Sequence, residues 1–289
     1  MIHIPILRFW ILLSLTGLFT ACSSKPDTPV EALNAIVSGL SNNRPEVLWD
    51  SLPASYQKSI NRVVQRSVSL TEKHIYDSSM KLFKRVSVAV KQKREIILKT
   101  AAKISPSGKI NEKRVAARLD AITSILASIS KSQVMSYDRM RKVNVGKFIR
   151  RQGPTIMKAF FTLMPEIKED LDSLKKKEFS EVSRKDGIAT IRLMESGKAL
   201  GTPILFVKVE GRWIPVIIQR RFTREIKRLN ARINKAKISA PRSNARMKKA
   251  LPMLEKFVSA FERAKNEDEL TTFPIRALML GGQLKAIMK

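Results

Sequence analysis

The amino-acid sequence predicts an α+β fold, predominantly helical, with one small four-stranded antiparallel sheet. Three observations carry this. From Gln57 to about residue 164, apolar residues recur at helical spacing with almost no turn-forming punctuation. After Glu178 the hydrophobic period drops to two, and Asp186-Gly187 interrupts it as a hairpin signal. At Arg220 the helical period returns.

Taken in order, Thr28 is placed to cap a first helix, with Pro29 at its first position and Glu31 completing a capping box. Val30, Leu33, Val37 and Leu40 give its apolar stripe, and Asn42-Asn43 ends it. Pro45 opens a short turn through Trp49, Leu52-Pro53 breaks it, and Tyr56, Ile60, Val63 and Val64 begin the next amphipathic helix. Within the helical stretch only Ser105-Pro106-Ser107-Gly108 and Gly153-Pro154 read as interruptions. Glu112 to Lys131 is its clearest segment, with Val115, Leu119, Ile122, Leu126 and Ile129 on one face. Glu166, Glu169 and Asp170 start a helix that Lys175 to Lys177 end, an order that suits the helix dipole.

Four strands follow. Phe179 to Ser183 alternates, Asp186-Gly187 turns, and Ala189, Ile191 and Leu193 form the second strand. Ser196-Gly197 and Gly201 mark a loop before Leu205, Val207 and Val209. Glu210-Gly211 then turns into Trp213 to Ile218, where Pro215 suggests an edge or a bulge. Beyond the sheet, Phe222, Ile226, Leu229 and Ile233 face inward on one helix, and Asn244 to Lys265 forms another that Pro252 kinks or restarts. Thr272 to Lys289 is a weaker helical segment broken by Gly281-Gly282.

The first 21 residues are read as a leader and not as folded structure. Arg8 sits in a weakly positive start, Phe9 to Phe19 is an apolar core, and Thr20-Ala21 supplies small residues before Cys22. This pattern resembles the signal of bacterial lipoproteins, although Phe19 stands where that family usually has leucine. The resemblance implies that Cys22 is the lipidation site, diacylated on sulfur with chains such as palmitate, and that the leader is cut just before it. The alternative is an uncleaved signal anchor, since Ile4 to Ala21 approaches the ~20 residues that span a bilayer. In that family an aspartate after the cysteine usually retains the protein in the inner membrane, so the resemblance, with Ser23 at that position, implies the outer membrane facing the periplasm. Cys22 is the only cysteine, which excludes an internal disulfide and any cysteine-based metal site. The domain organisation read from this is a signal peptide over 1–21, a tether over 22–29 and a single α+β domain over 30–289. In that domain 57–174 is a helical insertion, 178–219 the sheet and 220–289 the C-terminal helices.

Length and composition are ordinary for a globular chain, 44% hydrophobic and 28% charged. The net charge of +30 is not. Gln57 to Arg151 holds 23 Lys/Arg against 6 Asp/Glu, and Arg220 to Lys249 holds 12 against 1, so the rest of the chain is almost neutral. Charge on this scale attracts anionic partners. In a cell envelope these are phospholipid headgroups, lipopolysaccharide phosphates, peptidoglycan carboxylates or an acidic protein. A well-solvated helical surface is the plainer alternative. Nucleic acid is disfavoured despite a pI of about 10.6, because aromatics are only 6% and too few in the basic blocks to make a stacking surface.

Phe206-Val207-Lys208-Val209-Glu210-Gly211-Arg212-Trp213-Ile214 resembles the closing hairpin of small NTF2-like lipoprotein domains, and Thr28 to Leu33 and Leu52 to Tyr56 resemble their early helices. The resemblance implies a curved sheet wrapped by those helices. It transfers no activity, because that fold hosts enzymes, ligand binders and assembly modules alike.

No residue is nominated as catalytic, and no cofactor or metal set is read from the sequence. His3 lies in the leader; His74, with Asp77 and Ser78 on its helical face, lacks a serine elbow. Neither a glycine-rich phosphate loop nor metal-ligand spacing occurs. Trp213 reads as packing. Two function classes remain. One is a lipid-anchored binding or structural protein, tethered to the membrane by its N-terminus and contacting anionic envelope components or an acidic partner. The other is an enzyme or small-ligand binder using an NTF2-like pocket. The anion-binding candidates are Arg224, Lys227, Arg228, Arg232 and Lys235, which spacing projects away from the Phe222, Ile226, Leu229 and Ile233 stripe with only Glu225 to offset them.

Overall fold

The computed structural model describes residues 26–104 and 111–288. Cys22, the leader and the expected break at 105–108 lie outside them. Helix α1 (Pro29–Ser41) begins as its sequence requires: the Thr28 hydroxyl accepts from Glu31 N at 3.1 Å, and the Glu31 carboxylate accepts from Asp27 N at 3.0 Å. Then follow α2 (Glu46–Asp50), α3 (Ala54–Val68), α4 (Lys73–Gln92), α5 (Arg94–Ile104), α6 (Glu112–Ser130), α7 (Tyr137–Met140), α8 (Val145–Leu163) and α9 (Pro165–Lys175). The sheet comprises β1 (Glu178–Lys185), β2 (Ile188–Glu195), β3 (Lys198–Val209) and β4 (Arg212–Pro215). Helices α10 (Val216–Arg263), α11 (Glu267–Thr271) and α12 (Phe273–Met288) complete the chain.

The sheet is an antiparallel meander in the order β1-β2-β3-β4. Its three connections are two-residue turns, Asp186-Gly187, Ser196-Gly197 and Glu210-Gly211, and both residues of each have positive φ. That is the type I′ geometry whose twist matches a hairpin, and glycine at the second position adopts it without strain. On β2, Ala189, Ile191 and Leu193 are buried, and Phe206 of β3 is fully buried beside Ala189.

Internal contacts divide the chain into two compact units. The first is drawn from Met1–Val64 and Asn144–Ala231, the second from Gln65–Val143 and Arg232–Lys289. In the first, α1 is central. Ala32, Leu33 and Val37 pack on Phe179, Ile191, Phe206 and Trp213 of the sheet, while Ile36 and Leu40 pack on Met157 and Phe161 of α8 and Leu171 of α9. One amphipathic helix with a wide apolar stripe therefore joins sheet to helices. Ser41, buried at its end, donates to Asp172 of α9 at 2.6 Å. In the second unit, Phe273 stands edge-on to Phe257 and Phe261, over a cluster that includes Ala264, Leu270, Ile96 and Ile97. Arg85 of α4 binds the Glu262 carboxylate and the Ser259 hydroxyl, at 2.5–2.9 Å and 2.8 Å.

Five local expectations are corrected. Gly153-Pro154 does not interrupt the chain but lies inside α8, whose buried Ile149, Met157 and Phe161 hold the helix through the missing hydrogen bond. The fourth strand ends at Pro215, and Val216 to Ile218 are helical. Proline cannot donate to a ladder, and its fixed φ suits a helix start. The two helices expected after the sheet are one, α10, which runs through Pro241 and Pro252. Gly201 is not a loop but a kink inside β3, where φ is +64° and the register with β2 shifts. Finally, α12 continues through Gly281 and Gly282, around which space is open.

Candidate functional site

In the first unit, α3 and the start of α10 leave a groove between them. It encloses about 680 Å³ and is walled by Ile60, Val63 and Val64 on one side and Ile218, Phe222, Ile226 and Leu229 on the other. Ile36, Leu48, Ile214 and Pro215 form its floor. The stripe on α10 expected to face a closed core therefore lines an open cleft. Phe222 and Ile226 are half-buried and Leu229 remains 38% exposed, while Ile233, in the second unit, is buried. Ser51, the one hydroxyl in the lining, donates to Leu48 O at 2.6 Å and so leaves no polar demand inside. Arg221, Arg224 and Glu225 are the charged residues of the lining.

The five anion-binding candidates are all exposed. Arg224, Lys227 and Arg228 belong to the first unit; Arg232 and Lys235 lie on the part of α10 that belongs to the second. Glu225 is 2.9 Å from Arg228 and 3.7 Å from Arg224. Among the described residues, Lys227, Arg232 and Lys235 have no carboxylate partner. Ion pairs this exposed contribute at most about 1 kcal/mol to stability, so the row is not there to hold the fold.

Sequence reasoning missed a charged cluster at the end of α2. Asp50 lies 3.8 Å from Arg150, and Arg212 donates to the Asp50 backbone oxygen. Arg44 binds one Glu46 oxygen at 3.1 Å, while the other Glu46 oxygen is buried with no hydrogen-bond partner among the described residues. Burial, aided by the Glu46 charge, pushes the Asp50 carboxyl up to about 7 against the opposing pull of Arg150, Arg212 and Arg44. Asp50, Arg44 and Arg212 line a small cavity of about 70 Å³ beside Trp213. A carboxyl poised there can exchange a proton. Yet no histidine or cysteine lines that cavity, and Ser51, the one hydroxyl there, already donates to Leu48 O. The only signal in the sequence was the packing of Arg44, Glu46 and Asp50 around Trp49 within seven residues.

Trp213 is buried, and its Nε1 donates to Asp27 O at 3.0 Å. His74 is exposed, 3.4 Å from Glu72, while Asp77 instead accepts from Tyr137 N at 3.0 Å, so the three residues on that face form no relay. Among the described residues, no group of three or more His, Cys, Asp or Glu could hold a metal ion, and no helix is long and apolar enough to cross a membrane. No protein-family model, curated protein or solved structure matches the chain.

Proposed function

We propose that this protein is a lipid-anchored envelope protein of binding or structural role, and that α10 docks it on an anionic surface. The observation that carries the reading is the exposed cationic row of Arg224, Lys227, Arg228, Arg232 and Lys235, whose only ion-paired acid among the described residues is Glu225. A row of like charges that repel one another is relieved when a polyanion docks, and each cation near an anionic lipid surface contributes about 1 kcal/mol. The tether supports the same reading. Acylation at Cys22 with the two or three chains of a bacterial lipoprotein would anchor the chain stably at the membrane, and a basic surface would hold the tethered domain against its anionic headgroups. On this reading the protein sits at the outer membrane facing the periplasm. Co-sedimentation with anionic vesicles, with and without the cationic row, tests it.

A further inference from the structure

The groove between α3 and α10 has an apolar interior and a cationic edge, which is the complement of an anionic amphiphile. We propose that it binds a single-chain lipid with an anionic head, such as a free fatty acid, its chain along the cleft and its head at Arg221. The inference goes beyond docking, because the groove lining shares only Arg224 with the cationic row; Lys227, Arg228, Arg232 and Lys235 are not part of it.

Size favours one chain. The volume of about 680 Å³ falls in the range of small-ligand sites. Along the axis, Ile218 to Leu229 spans roughly 16 Å at 1.5 Å per residue. At ~1.2 Å of reach per bond of an extended chain, that is about 13 bonds. Chemistry favours an acyl chain, since the lining is aliphatic except for Phe222 and its one hydroxyl is already satisfied by Leu48 O. Charge favours an anionic head. Arg221 is exposed and has no carboxylate partner among the described residues, and Arg224 shares Glu225 with Arg228.

The test uses the anchor-free protein, residues 23–289, and a fluorescent fatty acid, 12-(9-anthroyloxy)stearate, displaced by oleate or by oleyl alcohol. The expected result is saturable binding of one probe per chain. Arg221→Gln, at an exposed position, should weaken oleate about tenfold and leave the alcohol unchanged. Leu229→Trp should block the cleft and abolish binding of both. Arg228→Gln, Arg232→Gln and Lys235→Gln lie outside the groove and should leave these affinities unchanged, so failure of vesicle docking and failure of ligand binding read separately. The proposal is overturned by non-saturating adsorption of many probes per chain, or by affinities unmoved by both Arg221→Gln and Leu229→Trp. The acylated natural chain is assayed beside it; binding by the anchor-free protein alone would assign the groove to the chain's own acyl group, and would equally overturn a free ligand.

Discussion

Tyr56 and Phe222 lie face to face, their ring centroids 3.8 Å apart and their planes 3° from parallel. The pair ties α3 to the first turns of α10 and so sets the width of the groove between them. Phe222→Ala removes the stack and a half-buried ring. The expected loss is roughly 1–3 kcal/mol, below the cost at a fully buried site, read as a lower urea midpoint with an unchanged m-value. Phe222→Leu should recover about half. A neutral Phe222→Ala would mean the rings meet without contributing.

Gly39 tests the packing of α1. A Cβ there would press on both methyls of Val47, and a β-branched side chain has little rotamer freedom to retreat. Gly39→Ala gains up to ~1 kcal/mol of helix propensity but overpacks the site by about 1–3 kcal/mol. The net prediction is destabilisation, which Gly39→Ala combined with Val47→Ala should largely reverse. A Gly39→Ala variant more stable than the natural chain would contradict this packing.

The pH dependence follows from Asp50. Its carboxyl titrates near 7 when folded and at 3.8 as an ordinary aspartate, so between these values the folded state holds the extra proton. Stability from this group is complete below about pH 4 and is lost as pH rises toward 7. Asp50→Asn cannot lose it. Unfolding midpoints of Asp50→Asn and the natural chain should diverge in favour of the asparagine as pH rises from 4 to 8. Parallel curves would show that Asp50 titrates normally.

Much of this was legible in the sequence because it rests on local rules. The Thr28 cap with Glu31, the two-residue turns at Asp186-Gly187 and Glu210-Gly211, and the buried alternation of Ala189, Ile191 and Leu193 follow from backbone geometry over a few residues. What was missed depended on tertiary packing or on distant partners. Prolines 154 and 252 read as an interruption and a kink or restart, yet α8 and α10 pass through them. The stripe of Phe222, Ile226 and Leu229 signalled a buried face, but spacing alone does not distinguish a filled core from a cleft. The Asp50 cluster draws Arg150 and Arg212 from positions 100 and 162 residues away, beyond any motif.

Processing gives an independent prediction. Cys22→Ser should abolish palmitate labelling and leave an unprocessed or released form, seen as a mobility shift on gels. Palmitate incorporation that survives the substitution would remove the lipid anchor from the account.

The most direct measurement of the central claim is co-sedimentation of the soluble, anchor-free protein, residues 23–289, with phosphatidylglycerol vesicles across a salt series. The account predicts binding that weakens steeply as screening grows. In the variant carrying Arg228→Gln, Arg232→Gln and Lys235→Gln, three cations near the surface are lost at about 1 kcal/mol each, so affinity should fall roughly a hundredfold at low salt. Folding should be intact, since none of the three belongs to the apolar stripe. A natural chain that never pellets, or a triple variant that pellets as well as the natural chain, would contradict docking through α10.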